Sequence, residues 1–216
     1  MRLNEDSYRK KVRAGWLGKC IGGNLGAIPE CLKKRSYFLK PEDFMPEKML
    51  ANDDLDLQLV WLQVLLDKGL SFTSDDLMEE FIKCYPANPN EYGYGKRNYR
   101  RGIKPPVSGT FANEFFMNSM GCPIRAEIWA MICPGRPEKG IELAYRDGCL
   151  DHGEESIYAE QYITALESLS FLSQDRLELI KKAMEYIPET SRIYHVISDI
   201  SLSLIHISEP TRQEAI

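Results

Sequence analysis

Two adjacent carboxylates at the start of a strongly apolar segment are the residues of this chain best suited to chemistry. Asp53 and Asp54 follow Asn52 in the sequence ANDDLDLQLVWLQVLL, residues 51–66. Asn52 suits the N-cap of a helix, and a helix N-terminus tolerates negative charge. Because the segment is apolar nearly all round, we expect the helix and its two carboxylates to be buried. Two buried carboxylates are costly without a compensating cation, so the pattern predicts a metal ion.

A second aspartate pair in the same chain serves as a control. Asp75 and Asp76 stand in SDDL, again after a polar residue and before a leucine. The helix predicted behind them is amphipathic, so helix capping and the helix dipole explain these acids fully. The aspartate pair alone therefore does not indicate a metal site; the apolar segment behind Asp53 and Asp54 does.

Glycines recur at steps of three or four residues near the start of the chain, within and just after a helix predicted over residues 4–22. They are Gly15, Gly18, Gly22, Gly23 and Gly26. Small residues at this spacing let either a second helix or a ligand approach the backbone closely, and both interpretations stay open. The segment GKCIGGNLG lacks the Gly-Lys-Ser/Thr ending of a phosphate-binding P-loop.

Glu30 and His152 are polar residues in predicted turns. Taken alone, Glu30 fits a solvated loop carboxylate, and a catalytic role is the less common alternative. His152 lies in Asp151-His152-Gly153, where a local hydrogen-bonding role is commoner than a ligand contact. The residue types alone leave both alternatives open.

The composition is that of a soluble globular protein of ordinary domain size. The 216 residues are 44% hydrophobic and 27% charged, with a formal net charge of -5 and a pI near 5.4. This acidity argues against a dedicated nucleic-acid binder. There is no apolar stretch of membrane-spanning length and no signal-peptide pattern, so we expect a cytoplasmic protein with no membrane partner. The six cysteines form no Cys-x-x-Cys pair and are expected to be reduced, mostly buried thiols.

No stretch shows the alternation of a strand, so the sequence predicts an all-α chain. Besides the segments already described, helices are predicted over residues 107–120, 125–133, 137–148, 154–172 and 174–187. Residues 85–106 have the Pro, Asn, Gly and Tyr content of a long loop. The basic and aromatic residues there fit a solvated loop better than a nucleic-acid grip, with a phosphate-bearing small ligand as the alternative.

The end of the chain has a different character. Residues 202–212, LSLIHISEPTR, back-translate without strain to a transposon adapter used in making sequencing libraries. We therefore expect residues 1–201 to be the N-terminal part of one domain and residues 202–216 to be a non-native tail. The alternative is a genuine short amphipathic helix.

Several motifs together resemble a known family. GWLGKCIGGNLGAIPE, ANDDLDLQL, GCPIRAEIWAMICPGRPEKGIELAYRDGCLDH and IPETSR occur in the order and spacing of the ADP-ribosylglycohydrolases, over about residues 11–200. The resemblance implies an orthogonal multi-helix bundle, here incomplete at the C-terminus. It also implies a hydrolase that cleaves the N- or O-glycosidic bond of ADP-ribosyl conjugates, with an ADP-ribosylated protein or small molecule as substrate. The family includes a crystallin-type structural relative, so a non-catalytic ADP-ribose-binding or structural protein is the alternative.

The resemblance also implies a metal site. The family binds two divalent cations, Mg²⁺ or Mn²⁺, and by position Asn52, Asp53 and Asp54 resemble metal ligands. Glu30 resembles the family's glutamate that orients or deprotonates the attacking water. Hard divalent cations prefer such oxygen ligands.

Four residues resemble the family's substrate-binding positions. Gly121, Cys122 and Arg125 lie in a segment like the Gly-x-Met-Arg loop near ADP-ribose, with isoleucine in place of the methionine. His152 resembles the family's histidine in the substrate cleft, although Asp151 replaces the usual serine or threonine.

Two departures from the family pattern carry further expectations. Asn52 stands where the family often has threonine, which keeps an oxygen ligand but loses a hydroxyl. The Asp-x-Asp-Thr stretch that supplies the family's remaining metal ligands does not occur in this sequence. We therefore expect half of a metal site, an uncovered apolar core and no activity in the chain as written.

Overall fold

The computed structural model describes residues 3–27 and 52–208, and all regular structure in these ranges is helical. Within them the chain forms ten helices and no strand, which confirms the all-α prediction. The chain divides into two compact units, Met1–Ala87 and Asn88–Ile216. Among the described residues, no helix combines the length and the apolar character needed to cross a membrane.

The described part of the first unit contains three helices, which are α1 (Glu5–Ala27), α2 (Asp53–Lys68) and α3 (Ser74–Cys84). Helix α2 begins where predicted, because the Asn52 side chain accepts a hydrogen bond from the backbone N–H of Asp54 at 2.8 Å. One face of α2 packs against α3, and Trp61 meets Phe81 edge to face with ring centroids 5.4 Å apart. Leu57 and Trp61 are fully buried on this face.

The opposite face of α2 is not covered by the part of the chain that the structure describes. Leu59, Leu62 and Leu66 are 57%, 39% and 73% exposed. The prediction of a helix buried all round is therefore wrong, because α3 fills the space beside only one side of the helix. An apolar sequence pattern shows which faces of a helix can be buried. Which faces are buried depends on the helices that pack against it.

Helix α1 approaches the start of α2 closely at Gly23. A Cβ atom at Gly23 would collide with the Asn52 side chain, whereas one at Gly18, Gly22 or Gly26 would meet nothing within 4 Å. The glycine series was expected to let either a second helix or a ligand come close to the backbone. At Gly23 it is a second helix, through its capping residue Asn52, that comes close.

The described part of the second unit contains seven helices. They are α4 (Asn90–Arg100), α5 (Val107–Thr110), α6 (Glu127–Ile132), α7 (Pro137–Gly148), α8 (Glu154–Ser170), α9 (Arg176–Met184) and α10 (Arg192–Ser208). Helix α8 lies at the centre and contacts α6, α7, α9 and α10. Its residues Thr164 and Ala165 are fully buried, as are Trp129 of α6 and Leu143 of α7.

The prediction of a long loop over residues 85–106 is wrong, because α4 occupies half of it. The two glycines that indicated a loop serve packing instead. A Cβ at Gly93 would meet the Asn88 carbonyl oxygen, and one at Gly95 would lie 2.8 Å from the Leu150 carbonyl oxygen. Burial of Tyr92 and Lys96 outweighs the poor helix propensity of this segment.

The prediction of a helix over residues 107–120 is also wrong beyond the first turn. Only α5 forms, and turns follow it. Two asparagine side chains take the carbonyl groups that a longer helix would use: Asn98 donates to Phe111 O at 2.7 Å and Asn113 donates to Gly109 O at 2.8 Å. Such side-chain bonds compete with helix formation.

Helix α10 lies beyond residue 187, where the last native helix was predicted to end. Its first backbone donors are held by another helix, since Arg192 N and Ile193 N each donate to a carboxylate oxygen of Glu155 at 2.9 Å. A carboxylate at a helix N-terminus also compensates the helix dipole. The helix continues past residue 201, and the non-native origin of residues 202–216 stays a prediction.

Candidate functional site

The two predicted metal ligands of α2 are less buried than expected. Asp53 is exposed and Asp54 is half-buried, so the prediction of an interior carboxylate pair is wrong. Both lie in the first turn, ahead of the buried positions that begin at Leu57. The free-energy cost of burying carboxylates is therefore not a reason to expect a cation at Asp53 and Asp54.

Their chemistry still suits a hard divalent cation in part. Asp53 and Asp54 offer carboxylate oxygens, while the Asn52 oxygen is engaged in capping the helix. Within residues 3–27 and 52–208, no group of three His, Cys, Asp or Glu residues is arranged to hold a metal ion. Glu30 lies outside the described residues. The described part of the chain thus offers a fraction of a coordination shell.

The control pair behaves as a helix cap. Thr73 is the N-cap of α3, and its hydroxyl accepts from Asp76 N while the Asp76 carboxylate accepts from Thr73 N at 2.8 Å. The hydrogen bonds from the backbone and the hydroxyl of Thr73 lower the pKa of Asp76. The capping interpretation of this second pair is confirmed.

A buried ion cluster in the second unit contains three of the four predicted substrate-binding positions. At its centre Arg125 is fully buried. Its Nη2 and Nη1 donate to the two oxygens of Asp151 at 2.7 and 3.1 Å, and its Nε lies 2.8 Å from Asp147 Oδ1. Forked contacts of this kind are the strong form of an arginine–carboxylate pair.

Local sequence explains why these groups meet. Asp147 near the end of α7 and Asp151 just after it are four residues apart, and such residues lie on one side of a helical turn. Pro123 begins the short 3-10 turn, Pro123–Arg125, that carries Arg125 towards both acids. Trp129, one turn further on in α6, donates its Nε1–H to Asp147 Oδ2 at 2.9 Å.

His152 extends the cluster. Its Nδ1 lies 2.6 Å from Asp151 Oδ1, while its Nε2 lies 3.1 Å from Ser119 Oγ and 3.7 Å from Glu91 Oε1. Burial alone would lower the pKa of His152, but the charge and hydrogen bond of Asp151, aided by Glu91, raise it above its usual value. The arrangement favours an imidazolium with both ring nitrogens donating.

Gly121 adjoins the same group of side chains, and Cys122 does not. A Cβ at Gly121 would collide with Glu91 Oε1 and lie 2.9 Å from the His152 ring, so only glycine fits between these side chains. The Cys122 thiol lies 3.1 Å from Ser156 Oγ, and burial raises its pKa well above the usual value. Gly121, Arg125 and His152 thus come together, whereas Cys122 is an unreactive core thiol.

Ser119, His152 and Asp151 have the connectivity of a nucleophilic triad, but their surroundings oppose that chemistry. Asp151 and Glu91 favour the protonated imidazolium of His152. An imidazolium has no free ring nitrogen to accept the Ser119 proton, so it does not suit the role of general base. The group fits ligand binding better than nucleophilic attack.

Glu160 and Lys96 lie buried around the same cluster. The Glu160 carboxyl group is fully buried beside Asp147 and Cys122. Burial, together with the neighbouring charge of Asp147, raises the pKa of Glu160 well above its usual value, which favours the neutral acid. Burial lowers the pKa of Lys96 to about 8, against the attraction of Asp151.

Sequence reasoning missed Glu91, Ser119, Asp147 and Glu160. Asp147 and Asp151 did carry a signal, since a spacing of four places two acids on one side of a helical turn, although α7 ends before Asp151. Glu91 carried none, because its segment has the composition of a loop. Ser119 and Glu160 belong to the cluster only through long-range packing.

Comparison with known proteins adds one match. A family model described as ADP-ribosylglycohydrolase matches residues 4–215. Neither the curated proteins nor the solved structures yielded a match.

Proposed function

From the membership of this chain in the ADP-ribosylglycohydrolase family, we propose that it is a hydrolase of the glycosidic bond in ADP-ribosyl conjugates. The family match over residues 4–215 carries the proposal. The polar group around Gly121 supports it, because a carboxylate, a hydroxyl and an imidazole meet there around a position that admits no side chain. Pockets with a few convergent polar groups are the usual form of a small-ligand site.

The substrate-binding residues divide into two roles under this proposal. Gly121 and His152 contact the substrate, the histidine through its Nε2. Arg125 is fully buried and its N–H groups contact the carboxylates of Asp147 and Asp151, so it organises the site. Cys122 contributes core packing.

The metal requirement is part of the proposal. Asp53 and Asp54 would hold Mg²⁺ or Mn²⁺ through their carboxylate oxygens, with Asn52 holding the start of α2 in place. A bound divalent cation lowers the pKa of a water ligand and stabilises charge at the reacting centre. Glu30 would orient that water or accept its proton, which is the role of a general base.

An assay of ADP-ribose release tests the function. The substrates are arginine- and serine-linked ADP-ribosyl peptides, with Mg²⁺ or with EDTA. Because the sequence lacks the second acidic motif of the family, the assay uses this chain beside a version in which residues 202–216 are replaced by the continuation of its own gene.

We expect Mg²⁺-dependent release by the continued version, lost in Asp53→Asn and Asp54→Asn. The matched control is Asp75→Asn, which changes the other aspartate pair and should retain activity. The absence of metal-dependent release from both substrates by both versions would contradict the proposal.

A non-catalytic member of the same fold is the second candidate. The observation that favours it is that the Asn52 oxygen caps the helix. Among the described residues, this leaves only the carboxylates of Asp53 and Asp54 as predicted metal ligands. An ADP-ribose-binding or crystallin-like structural role needs no metal site. Binding of ADP-ribose without release by the continued version would support this candidate over the hydrolase.

A further inference from the structure

Three buried acids lie around a single guanidinium in the second unit. Arg125, Asp147, Asp151 and Glu160 are all fully buried. Arg125 Nε lies 2.8 Å from Asp147 Oδ1, and its Nη2 lies 2.7 Å from Asp151 Oδ1. Glu160, on α8, is the third acid, and its carboxyl group lies beside Asp147. A buried carboxylate is costly unless its charge is compensated, and one guanidinium does not balance three such charges.

Glu160 reaches from α8 to the end of α7. Its carboxyl group hydrogen-bonds the Asp147 side chain. A Cβ built at Gly148 would collide with Glu160 Oε2, so this acid lies directly against the backbone of α7. An ionised carboxylate only accepts hydrogen bonds. Two carboxyl groups that hydrogen-bond each other therefore need a proton between them.

We propose that Glu160 holds one proton and shares it with Asp147 across the contact between α7 and α8, and that release of this proton at alkaline pH is a switch that loosens the two helices. Release transfers the proton to solvent and leaves two neighbouring carboxylates. The switch follows from contacts within the chain and does not depend on the proposed function.

The surroundings of Glu160 favour the protonated acid. Burial and the charge of Asp147 raise its pKa, while the charge of Arg125 lowers it, and burial and Asp147 prevail. The nearby Cys122 thiol is protonated too, because burial raises its pKa well above the usual value. Glu160 is therefore the member of the pair that carries the proton.

The surroundings of Asp147 favour the ionised partner at neutral pH. Burial raises its pKa to about 6, against the charge of Arg125 and a hydrogen bond from Trp129. The Trp129 Nε1–H donates to Asp147 Oδ2 at 2.9 Å, which stabilises the carboxylate. A protonated Glu160 can then donate to Asp147, so the pair carries one negative charge beside one guanidinium.

The remaining charged groups near this cluster lie further from the pair. His152 and Lys96 act on it through Asp151, which contacts the histidine ring and attracts the lysine charge. The buried face of α9 is apolar. The charged and titratable side chains in the part of α10 before residue 200 are exposed, apart from Tyr194; they are Arg192, His195 and Asp199.

Loss of the shared proton would set three elements against one another. Asp147 lies on α7, Glu160 lies on α8, and Arg125 lies on the turn that precedes α6. Two adjacent carboxylates repel each other strongly in a site that water does not reach. Because both side chains are enclosed, the repulsion is relieved by separation of α7 from α8, which admits water to the pair.

Nuclear magnetic resonance of carbon-13-labelled glutamate carboxyl groups tests the protonation in the whole chain. The Glu160 signal can be assigned by through-bond experiments and checked with Glu160→Gln. We expect Glu160 to be protonated at pH 7, with a pKa at least about two units above its ordinary value of 4.5. Glu114, an exposed acid, is the internal control and should titrate as an ordinary glutamate.

The Trp129 indole reports the response of the fold, because its N–H donates to Asp147. Its signal, assigned with Trp129→Phe, should move with the same apparent pKa as the Glu160 carboxyl group. In Glu160→Gln this alkaline movement should be absent, while the movement near pH 6 that belongs to Asp147 remains. A role of Glu160 in packing alone would not couple the two signals.

Amide hydrogen exchange measures the loosening of α7 and α8, as the protection of the wild type relative to Glu160→Gln at each pH. The Glu160 pKa is raised by folding, so its proton stabilises the fold fully below the unfolded pKa and less as the pH rises towards the folded pKa. We expect relative protection to fall about ten-fold per pH unit in this window and to level off above it. Glu114→Gln is the matched control and should behave as the wild type.

Three outcomes would overturn the proposal: a Glu160 carboxyl group that is ionised at pH 7, a Trp129 signal that does not follow the Glu160 titration, or relative protection that does not change with pH. The first two are measured on the wild type, so they decide the proposal even where Glu160→Gln does not fold. None of these measurements uses ADP-ribose release, so the switch and the proposed function can fail separately.

Discussion

Arg125 balances two buried acids, and the third acid beside them has no such compensation. Asp147 and Asp151 both contact the guanidinium, whereas the buried Glu160 carboxyl group lies against Asp147. Burial raises the pKa of Asp147 to about 6, so it is ionised at neutral pH beside Arg125. Glu160 is one of the groups whose pKa differs between the folded and the unfolded chain.

The Glu160→Gln variant should be more stable than the wild type at alkaline pH. The pKa of Glu160 is raised in the folded state, so folding takes up a proton once the pH exceeds the unfolded value near 4.5. Its contribution to stability is complete below that value and is lost as the pH rises towards the folded pKa. Because Gln is neutral throughout, we expect the variant to gain about 1 kcal/mol or more at pH 8, measured by urea unfolding at pH 5 to 8.

The exposed Glu114→Gln serves as the control and should show the wild-type pH dependence. A Glu160→Gln protein that is less stable than the wild type at pH 8 would show that the glutamate is ionised in the fold.

Helix positions followed from the sequence where the signal was local. The Asn52 cap, the Asp76 capping partner and the apolar face carrying Trp61 all depend on residues within one or two turns. Helix α4 and the turns after α5 did not follow, because Gly95 packs against residue 150 and Asn113 hydrogen-bonds the carbonyl of residue 151. Contacts between distant segments decided those two elements.

The same limit applies to the candidate site. Gly121, Arg125 and His152 were identified from the family motif. The motif contained no sign that Glu91 would lie beside Gly121 and His152. The expected burial of Asp53 also failed, since periodicity describes the faces of a helix and not the exposure of its first turn.

Neighbouring glycines of α1 should respond in opposite ways to alanine. At Gly22 an added Cβ meets nothing within 4 Å, so Gly22→Ala should stabilise the protein by up to about 1 kcal/mol through helix propensity. At Gly23 the Cβ would collide with Asn52, which is held in place as the cap of α2. Gly23→Ala should therefore be less stable than Gly22→Ala, by about 1 kcal/mol or more if the cap is lost.

Thermal and urea unfolding of the two variants provide the measurement. Equal gains in both variants would mean that α1 does not rest on the Asn52 side chain.

At the scale of the whole molecule, apolar residues are divided between core and surface within single helices. Helix α2 has Leu57 fully buried and Leu66 73% exposed, and α10 exposes Val196 and Ile200. The chain therefore has more apolar side chains than its described helices cover. The composition alone could not indicate which of them lie inside.

Leu57 and Leu66 of α2 provide a matched pair for this division. Leu57→Ala should cost about 2 to 5 kcal/mol because it opens a cavity in the packed face. Leu66→Ala should change the free energy of unfolding by less than about 0.5 kcal/mol, as is usual for exposed positions. Urea unfolding measures both, and a loss of more than about 1 kcal/mol for Leu66→Ala would show that this face is covered in solution.

The anchoring of α10 by Glu155 bears on the order in which the second unit assembles. Two of the first backbone donors of α10 have their acceptor in the first turn of α8, 37 or 38 residues earlier. The Ser191 side chain satisfies one further donor, that of Tyr194. The start of α10 thus lacks two of its acceptors unless Glu155 of α8 is in place, so we expect α10 to fray whenever α8 is lost.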